Sequence, residues 1–264
     1  MIRFLITSLL LILGVYYIGE LTPLNIIFAL MYTVIVNDIF CHRICSHGMF
    51  IVNTQSITYK IFTWLASVDM GYGPVQWVTV SHNLHHIHSD KGPNDVMNWR
   101  HHWYSTTIVS PIPRFNNSRP DDYNSYVEKQ YNRHGHILND KYTIFCAKYQ
   151  YYISIFTLVL LFFISTTLFE ILCVSRLLLT IMTGIAGFAG HVKHFPLSYR
   201  QYNTNDTTSN NLLFHYMFLG LFAGMLQNNH HGQPLSTEPN NKWYELDNSK
   251  LFVLMFKYCM EKKC

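Results

Sequence analysis

The sequence is short of charged residues. Only 13% of its 264 residues are Asp, Glu, Lys or Arg, whereas a soluble globular domain carries about one quarter. The net charge is +4 with no block of like charges, so nucleic acid is not an expected partner. Because about half of the residues are apolar, this balance indicates a membrane protein with a sizeable polar portion.

Familiar cysteine and metal motifs are also missing. The six cysteines have no CxxC spacing and no disulfide framework of a small secreted fold, so they are expected to be reduced thiols or core residues. The chain has no HExxH motif and no Glu-x-x-His motif. These absences exclude a cysteine-rich zinc finger, a zinc protease of the HExxH type and a carboxylate-bridged di-iron bundle.

Long apolar runs occupy both halves of the chain. Two pairs of runs are each near the length of a spanning helix, and a short turn separates the members of a pair. The predicted transmembrane helices are residues 3–19, 21–40, 149–169 and 171–190. The pattern therefore predicts an all-α membrane protein of two helical hairpins, whose spans are expected to carry no charge at mid-depth.

The remaining polar segments fall on one side of the membrane if both hairpins form. Residues 41–148 and 191–264 make up this cap, and they hold nearly every Lys and Arg. The positive-inside rule places the cap in the cytoplasm. Within it, residues 61–70 are expected to form an amphipathic helix and residues 212–226 a buried or interfacial helix. We interpret residues 1–264 as one domain.

Histidine is unusually common, with 15 residues. Four clusters stand at the cytoplasmic ends of apolar elements, in the stretches "HRICSH", "HNLHH", "GHVKH" and "QNNHH". The clusters contain His42, His47, His82, His85, His86, His191, His194, His230 and His231. Four separate segments therefore bring imidazoles to one depth of the membrane.

Helical geometry predicts how these imidazoles are shared. On an α-helix, residues four apart lie about 40° from one another, and neighbours diverge by about 100°. His82 and His86 would share a face while His85 points elsewhere, and Gln227 would share a face with His231. Because the two members of each His-His pair diverge, the pattern predicts a site for two ions. Imidazole suits Zn, Cu, Fe and Ni, and iron beside an apolar region permits dioxygen activation next to a lipid chain.

Isolated histidines are interpreted differently. A lone histidine at a helix end is most often a cap or a solvated residue, and we assign His134, His136 and His215 to this kind. His101 and His102 are interpreted as loop residues.

The stretches "HRICSH", "HNLHH" and "QNNHH" resemble the three histidine boxes of the membrane fatty acid desaturases, HxxxxH, HxxHH and [HQ]xxHH. Arg43 after the first histidine, and Trp77 five residues before His82, are similar to the acyl-CoA and related delta-nine desaturases. So are "HSDKGPND" after the second box and "WYELD" after the third. The resemblance runs from about residue 25 to residue 250, which is most of the chain.

The resemblance implies an architecture and a reaction. Four spanning helices would lie under a helical cytosolic cap, with a di-iron site at their junction. The reaction would be the dioxygen-dependent introduction of a double bond into a fatty acyl chain linked to CoA, a carrier protein or a lipid. Electrons would come from a separate donor, a b-type cytochrome or a ferredoxin. The implied iron ligands are His42, His47, His82, His85, His86, His191, His230 and His231, with Gln227 as a possible further ligand, directly or through a water.

Two positions depart from the family pattern. Gln227 stands where the third box often has a histidine, and Gly187 stands four residues before His191, where this branch usually has an asparagine. The ligand set is then smaller by one group, unless His194 or another group replaces that asparagine.

Further residues are candidates for supporting roles. Carboxylates usually hold the free ring nitrogen of a ligand histidine, and Asp38, Asp95 and Asp247 are the candidates here. An acyl chain needs an apolar tunnel, and Trp64 and Trp77 are candidate lining residues, with plain core packing as the alternative.

Two other functions stay open at this point. The same kind of di-iron scaffold also serves membrane hydroxylases or oxygenases of lipids and hydrocarbons. A non-catalytic metal-binding membrane protein is the third interpretation.

Overall fold

The computed structural model describes residues 2–68, 71–91, 95, 123–234, 236 and 240–262. His101 and His102 lie outside this part. The described chain is mostly helical. Its α-helices are α1 (Ile2–Tyr17), α2 (Pro23–Tyr32), α3 (Ile57–Val68), α4 (Val75–His88), α5 (Tyr123–Leu138), α6 (Lys141–Lys148), α7 (Gln150–Ile164), α8 (Thr166–Ala189), α9 (Leu212–Met217), α10 (Gln227–Gly232) and α11 (Lys250–Met260). A π-helix, Thr33–Ser46, continues α2 without a break.

Among the described residues, two helical stretches are long and apolar enough to cross a membrane. They are Pro23–Ser46, which is α2 plus the π-helix, and Thr166–Ala189, which is α8. Helices α6 and α7 together would make a third, but they are bent by 75°. Helix α1 is apolar and shorter, over Leu5–Tyr17. By length and composition there are thus two candidate spans, or three with the bent pair, where the sequence predicted four.

The break between the last two predicted spans was predicted near residue 170, but it lies at Ser165. Helix α7 ends at Ile164, and the Ser165 side chain accepts a hydrogen bond from the Leu168 amide at 3.3 Å, which caps the start of α8. Residues 166–178 contain no Gly or Pro, so the helix runs on through Glu170 and Arg176. Arg176 lies near the middle of α8 and is only 2% exposed. The expectation that no charge lies at mid-depth of a span is therefore wrong.

The π-helix occupies the centre of the fold. It packs against α3, α4 and α8, while α1 and α2 also pack on α8. Phe40 of the π-helix meets Phe62 of α3 and Phe256 of α11, with ring centroids 5.5 and 6.0 Å apart. Thr33 donates a hydrogen bond to the Ser175 carbonyl of α8 at 2.9 Å. The segment with the first histidine stretch is therefore held inside the core.

The polar cap differs in detail from the expectation. Helix α3 forms where an amphipathic helix was predicted, although it begins earlier. The run 212–226 is not one helix, because α9 ends at Met217 and a separate 3₁₀ turn covers Ala223–Met225. A short antiparallel pair, β1 (Ser198–Tyr199) and β2 (Asn210–Asn211), precedes α9.

Five of the six cysteines lie in the described part of the chain, and these five are free thiols, as predicted. Cys41, Cys45, Cys146 and Cys173 are buried free thiols, and Cys259 is an exposed one.

Candidate metal centre

The π-helix determines how the first histidine stretch is arranged. On an α-helix, residues five apart diverge by about 140°, so His42 and His47 would point apart. A π-helix closes its turn with a hydrogen bond from residue i+5 to residue i, and the His47 amide donates to the His42 carbonyl at 3.1 Å. The two imidazole rings consequently lie 5.0 Å apart between centroids. The wider turn is what makes a spacing of five bring two ligands together.

Helix α4 presents its histidines as α-helical spacing requires. The Nε2 atoms of His82 and His86 lie 3.0 Å apart. His85 points to a different neighbourhood, where its ring lies 5.2 Å from the ring of His191 and 5.1 Å from that of His231.

Two further segments complete the cluster. His191 follows the last turn of α8, and α10 presents His230 and His231. His230 faces the first and second stretches, since its Nε2 lies 3.1 Å from His42 Nε2 and 3.0 Å from His86 Nε2. His231 turns instead toward His85 and His191.

The imidazole nitrogens form two main groups that can each hold a metal ion. The four-histidine group is His42, His47, His82 and His230, and the three-histidine group is His85, His191 and His231. His86 joins them, because it groups with both His230 and His231. Within each group the ligand atoms lie within 4.8 Å of one another. The structure thus brings together the eight histidines that the resemblance implies as ligands, and His194 is not among the grouped residues.

Four carboxylates orient histidines of this cluster by accepting hydrogen bonds from the Nδ1 atoms of the rings. Asp38 accepts from His42 at 2.8 Å, and Asp95 accepts from His85 at 2.7 Å. Two more were not foreseen: Asp90 accepts from His191 at 3.2 Å, and Asp206 accepts from His231 at 2.9 Å. A carboxylate on Nδ1 fixes the tautomer, so the Nε2 lone pair faces the cluster.

The surroundings of most of these histidines favour the neutral form of the imidazole. Burial, reinforced by the neighbouring rings, lowers the pKa of His47, His82, His86 and His230 well below the ordinary value. Burial also lowers the pKa of His231, to about 4, against the opposing hydrogen bond to Asp206. Neutral imidazole is the form that binds a metal ion.

Burial lowers the pKa of His85 too, but the charge and hydrogen bond of Asp95 outweigh it and the pKa is raised. For Asp90 and Asp206, burial raises the pKa, but the hydrogen bonds and charges of His191 and His231 prevail and hold it well below its usual range. Both carboxylates are therefore ionised at neutral pH.

The spacing of the nitrogens fits a metal ion. For metal–nitrogen bonds of about 2.1 Å, two ligands at right angles lie about 3.0 Å apart. The Nε2 atoms of His47 and His82 lie 2.8 Å apart, and those of His42 and His230 lie 3.1 Å apart. In addition, the buried Nε2 of His231 has no hydrogen-bond partner. An all-nitrogen donor set of this kind suits Fe, Zn, Cu or Ni.

Gln227 lies against the end of α8. Its Oε1 is buried and has no hydrogen-bond partner, which is costly unless another group completes the contact. Its Cγ packs so closely on Gly190 that a Cβ at that position would collide with it. Gly190 immediately precedes His191, so the Gln227 side chain packs against the backbone next to this histidine. His194, the proposed replacement for the missing asparagine, is exposed.

Two glycines, one in the last turn of α8 and one directly after it, provide a matched test of this packing. An alanine Cβ at Gly190 would collide with Gln227 Cγ and with the Ala186 carbonyl, whereas one at Gly187 would meet nothing within 4 Å. We expect Gly190→Ala to destabilise the protein by about 1–3 kcal/mol and to lower its metal content. Gly187→Ala should leave the metal content unchanged and stabilise the helix by up to about 1 kcal/mol. Thermal unfolding and metal analysis of both purified variants check this; equal behaviour would contradict it.

Some candidates from the sequence have other positions. Asp247 does not hold a histidine but binds Arg43, whose Nη1 and Nη2 donate to its two oxygens at 3.3 and 3.1 Å. His134 and His215 are buried, not solvated, while His136 is exposed as expected.

The two tryptophans differ in their surroundings. Trp64 lines a wide-open apolar cavity of about 840 Å³ along α7, which is bordered by exposed residues such as Phe163. Its Nε1 donates to Thr157 at 3.2 Å. Trp77 lies in the first turn of α4 and is not one of the residues that line this cavity.

Comparison with known proteins gives no match, either to a protein-family model or to a curated protein. The interpretation of the cluster therefore rests on its own residues and their geometry.

Proposed function

We propose that this protein is a membrane-bound, dioxygen-dependent desaturase of fatty acyl chains, with two iron ions held by the histidine cluster. The observation that carries the proposal is the convergence of eight histidines from four segments into two adjoining groups. The cluster adjoins helices long and apolar enough to cross a membrane, where acyl chains are found. The resemblance of the three histidine stretches to desaturase boxes supports the same function.

The proposed reaction explains why iron is proposed among the metals that imidazoles bind. Removing hydrogen from an unactivated methylene group lies beyond acid–base catalysis, and bound iron supplies the redox chemistry with dioxygen that this reaction needs. The four-histidine group would hold one ion and the three-histidine group the other, with His86 between them. The described carboxylates near the cluster bind Nδ1 atoms and leave the metal-facing positions to nitrogen.

The protein's own contribution is orientation and exclusion of water. Asp38, Asp90, Asp95 and Asp206 keep the proton on Nδ1 of their histidines. The imidazoles are largely buried, so bulk water does not compete for the reacting carbons. The acyl chain would approach from the membrane, and the apolar cavity beside Trp64 is the candidate surface for it. Electrons would come from a separate protein, and the cluster would face the cytoplasm in a multi-pass protein.

Expression in a desaturase-deficient host, followed by analysis of fatty acid methyl esters, tests the proposal. A new unsaturated ester, two hydrogens lighter than its precursor, is the expected product. An ester that gains an oxygen atom would assign the protein to the hydroxylases. Full metal content without any lipid product would favour a metal-binding protein that is not an enzyme.

Gln227 gives a finer test of the same site. Gln227→Leu removes the buried amide oxygen, so we expect activity to fall more than the protein level does. Gln227→His should preserve iron content and at least part of the activity, because an imidazole can occupy the same place. Iron per chain and ester yield are measured for both. Loss of iron in Gln227→His but not in Gln227→Leu would contradict a metal-directed role for this side chain.

A further inference from the structure

The two histidine groups differ in the carboxylates behind them. Every member of the three-histidine group has one: Asp95 on His85, Asp90 on His191 and Asp206 on His231. In the four-histidine group, Asp38 on His42 is the one carboxylate bound to a ring among the residues that the structure describes.

The three carboxylates form one connected web. Asp95 accepts from the Asp90 amide at 2.9 Å, and Asp90 accepts from the amide and the hydroxyl of Thr207, each at 2.8 Å. Thr207 follows Asp206, which in turn accepts from Thr204 at 2.6 Å. The loop after α4 and the loop before β2 are thus joined at the three-histidine group, and each carboxylate is fixed where it meets its ring.

One cation partly offsets this negative charge. Arg200 Nη1 lies 3.9 Å from Asp206 Oδ1, but the guanidinium also donates to the carbonyls of Thr204, Asp206 and Thr208. Counted over the described residues, subtracting its full charge still leaves the three-histidine group with more negative charge than the four-histidine group has. At the latter, the charge of Arg43 is matched by Asp247.

We infer that the two metal positions are unequal, and that the three-histidine group binds a divalent cation first and more tightly. An acceptor carboxylate makes an imidazole a more basic ligand, and losing one such partner typically costs about 10–100-fold in metal affinity. His86 does not decide the order, because it is shared: its ring lies 4.3 Å from that of His231, and its Nε2 lies 3.0 Å from those of His82 and His230. We expect the three carboxylates to outweigh the one extra imidazole of the four-histidine group.

The inference rests on the proposed function only in treating the cluster as a metal site. The test uses the full chain in detergent, stripped with a chelator and titrated anaerobically with Fe²⁺. We expect two binding phases of one ion each, separated at least about 10-fold in affinity. A Mössbauer spectrum at one equivalent of ⁵⁷Fe²⁺ should show one iron species, and a second should appear only with the second equivalent.

Two matched variants assign the phases. Asp206→Asn and Asp38→Asn each remove one charge but keep an oxygen that can accept from Nδ1. Asp206→Asn should weaken the first phase by about 10–100-fold and leave the second in place. Asp38→Asn should weaken the second phase alone. A single phase of two equal ions in the wild-type protein, or a first phase weakened by Asp38→Asn, would overturn the inference.

If either variant does not fold, the wild-type protein still decides the question. Iron-edge anomalous scattering from crystals loaded with one equivalent should place the ion at His85, His191 and His231. Density at the four-histidine group alone would refute the order. Both results are independent of desaturation. If the three-histidine group binds first but no lipid product forms, only the proposed function is overturned. If the four-histidine group binds first and product forms, only this inference is overturned.

Discussion

Replacement of His86 by alanine should abolish desaturation while the protein still inserts into the membrane. The His86 Nε2 lies 3.0 Å from both His82 Nε2 and His230 Nε2, and this ring joins the two histidine groups. Losing an outer partner of a metal ligand typically costs about 10–100-fold in metal affinity or activity. Losing a ligand shared by both groups should therefore cost more. His231→Ala should have the same outcome, because its unpaired Nε2 is directed at the three-histidine group.

The measurements are ester yield, iron per chain and the amount of protein in the membrane fraction. His136→Ala is the matched control, since His136 is an exposed histidine of α5 and should change none of them. His134 and His215 would be poor controls, because both are buried and their loss would disturb packing. Wild-type product from His86→Ala with full iron would mean that this histidine is not a ligand.

The sequence predicted the site better than the spans because of periodicity. Residues four apart share a face on any α-helix, so the pairing of His82 with His86 and the divergence of His85 could be derived from spacing alone. The same reasoning separated His230 from His231, and the structure places them in different main groups.

Where the backbone is not α-helical, the spacing of residues did not predict how the histidines come together. The stretch "HRICSH" has a spacing of five, which an α-helix cannot bring to one face. That mismatch was the available signal for the π-helix, whose turn joins His42 to His47. Asp90 and Asp206 gave no comparable signal, since they reach the cluster from loops with no periodic pattern.

The spans were misjudged for a different reason. A charged residue was taken to mark a helix end, but Arg176 is buried inside α8, and the real break is at Ser165, a helix-capping residue. Hydropathy reports composition along the chain, and it does not distinguish a charge at a membrane surface from a charge enclosed by neighbouring helices.

A second large effect is expected from Arg43, which is 2% exposed beside His42. It binds Asp247 through two nitrogens and also donates to Ser249. This contact joins the π-helix to the C-terminal segment, residues 247–262. The same segment is also held near the π-helix by a hydrogen bond from the Lys262 amide to the Ile51 carbonyl at 2.8 Å. Removing one partner of a buried ion pair leaves the other charge uncompensated, which typically costs about 3–5 kcal/mol.

We therefore expect Arg43→Ala to lower the stability of the metal-free protein by about that amount and to reduce iron binding at the four-histidine group. The double variant Arg43→Met, Asp247→Leu should recover most of the stability, because apolar side chains of similar volume replace a buried pair at little cost. Thermal unfolding in detergent and iron analysis measure both effects.

The control is the exposed ion pair between Lys257 and Glu261 on the C-terminal segment, whose charged atoms lie 3.8 Å apart. Lys257→Ala should cost no more than about 1 kcal/mol, since solvent screens an exposed pair. If Arg43→Ala were as mild as Lys257→Ala, the buried contact would not hold the π-helix in place. If the double variant regained stability but not iron, the Arg43 contact would matter for orienting His42 and not only for joining the C-terminal segment to the core.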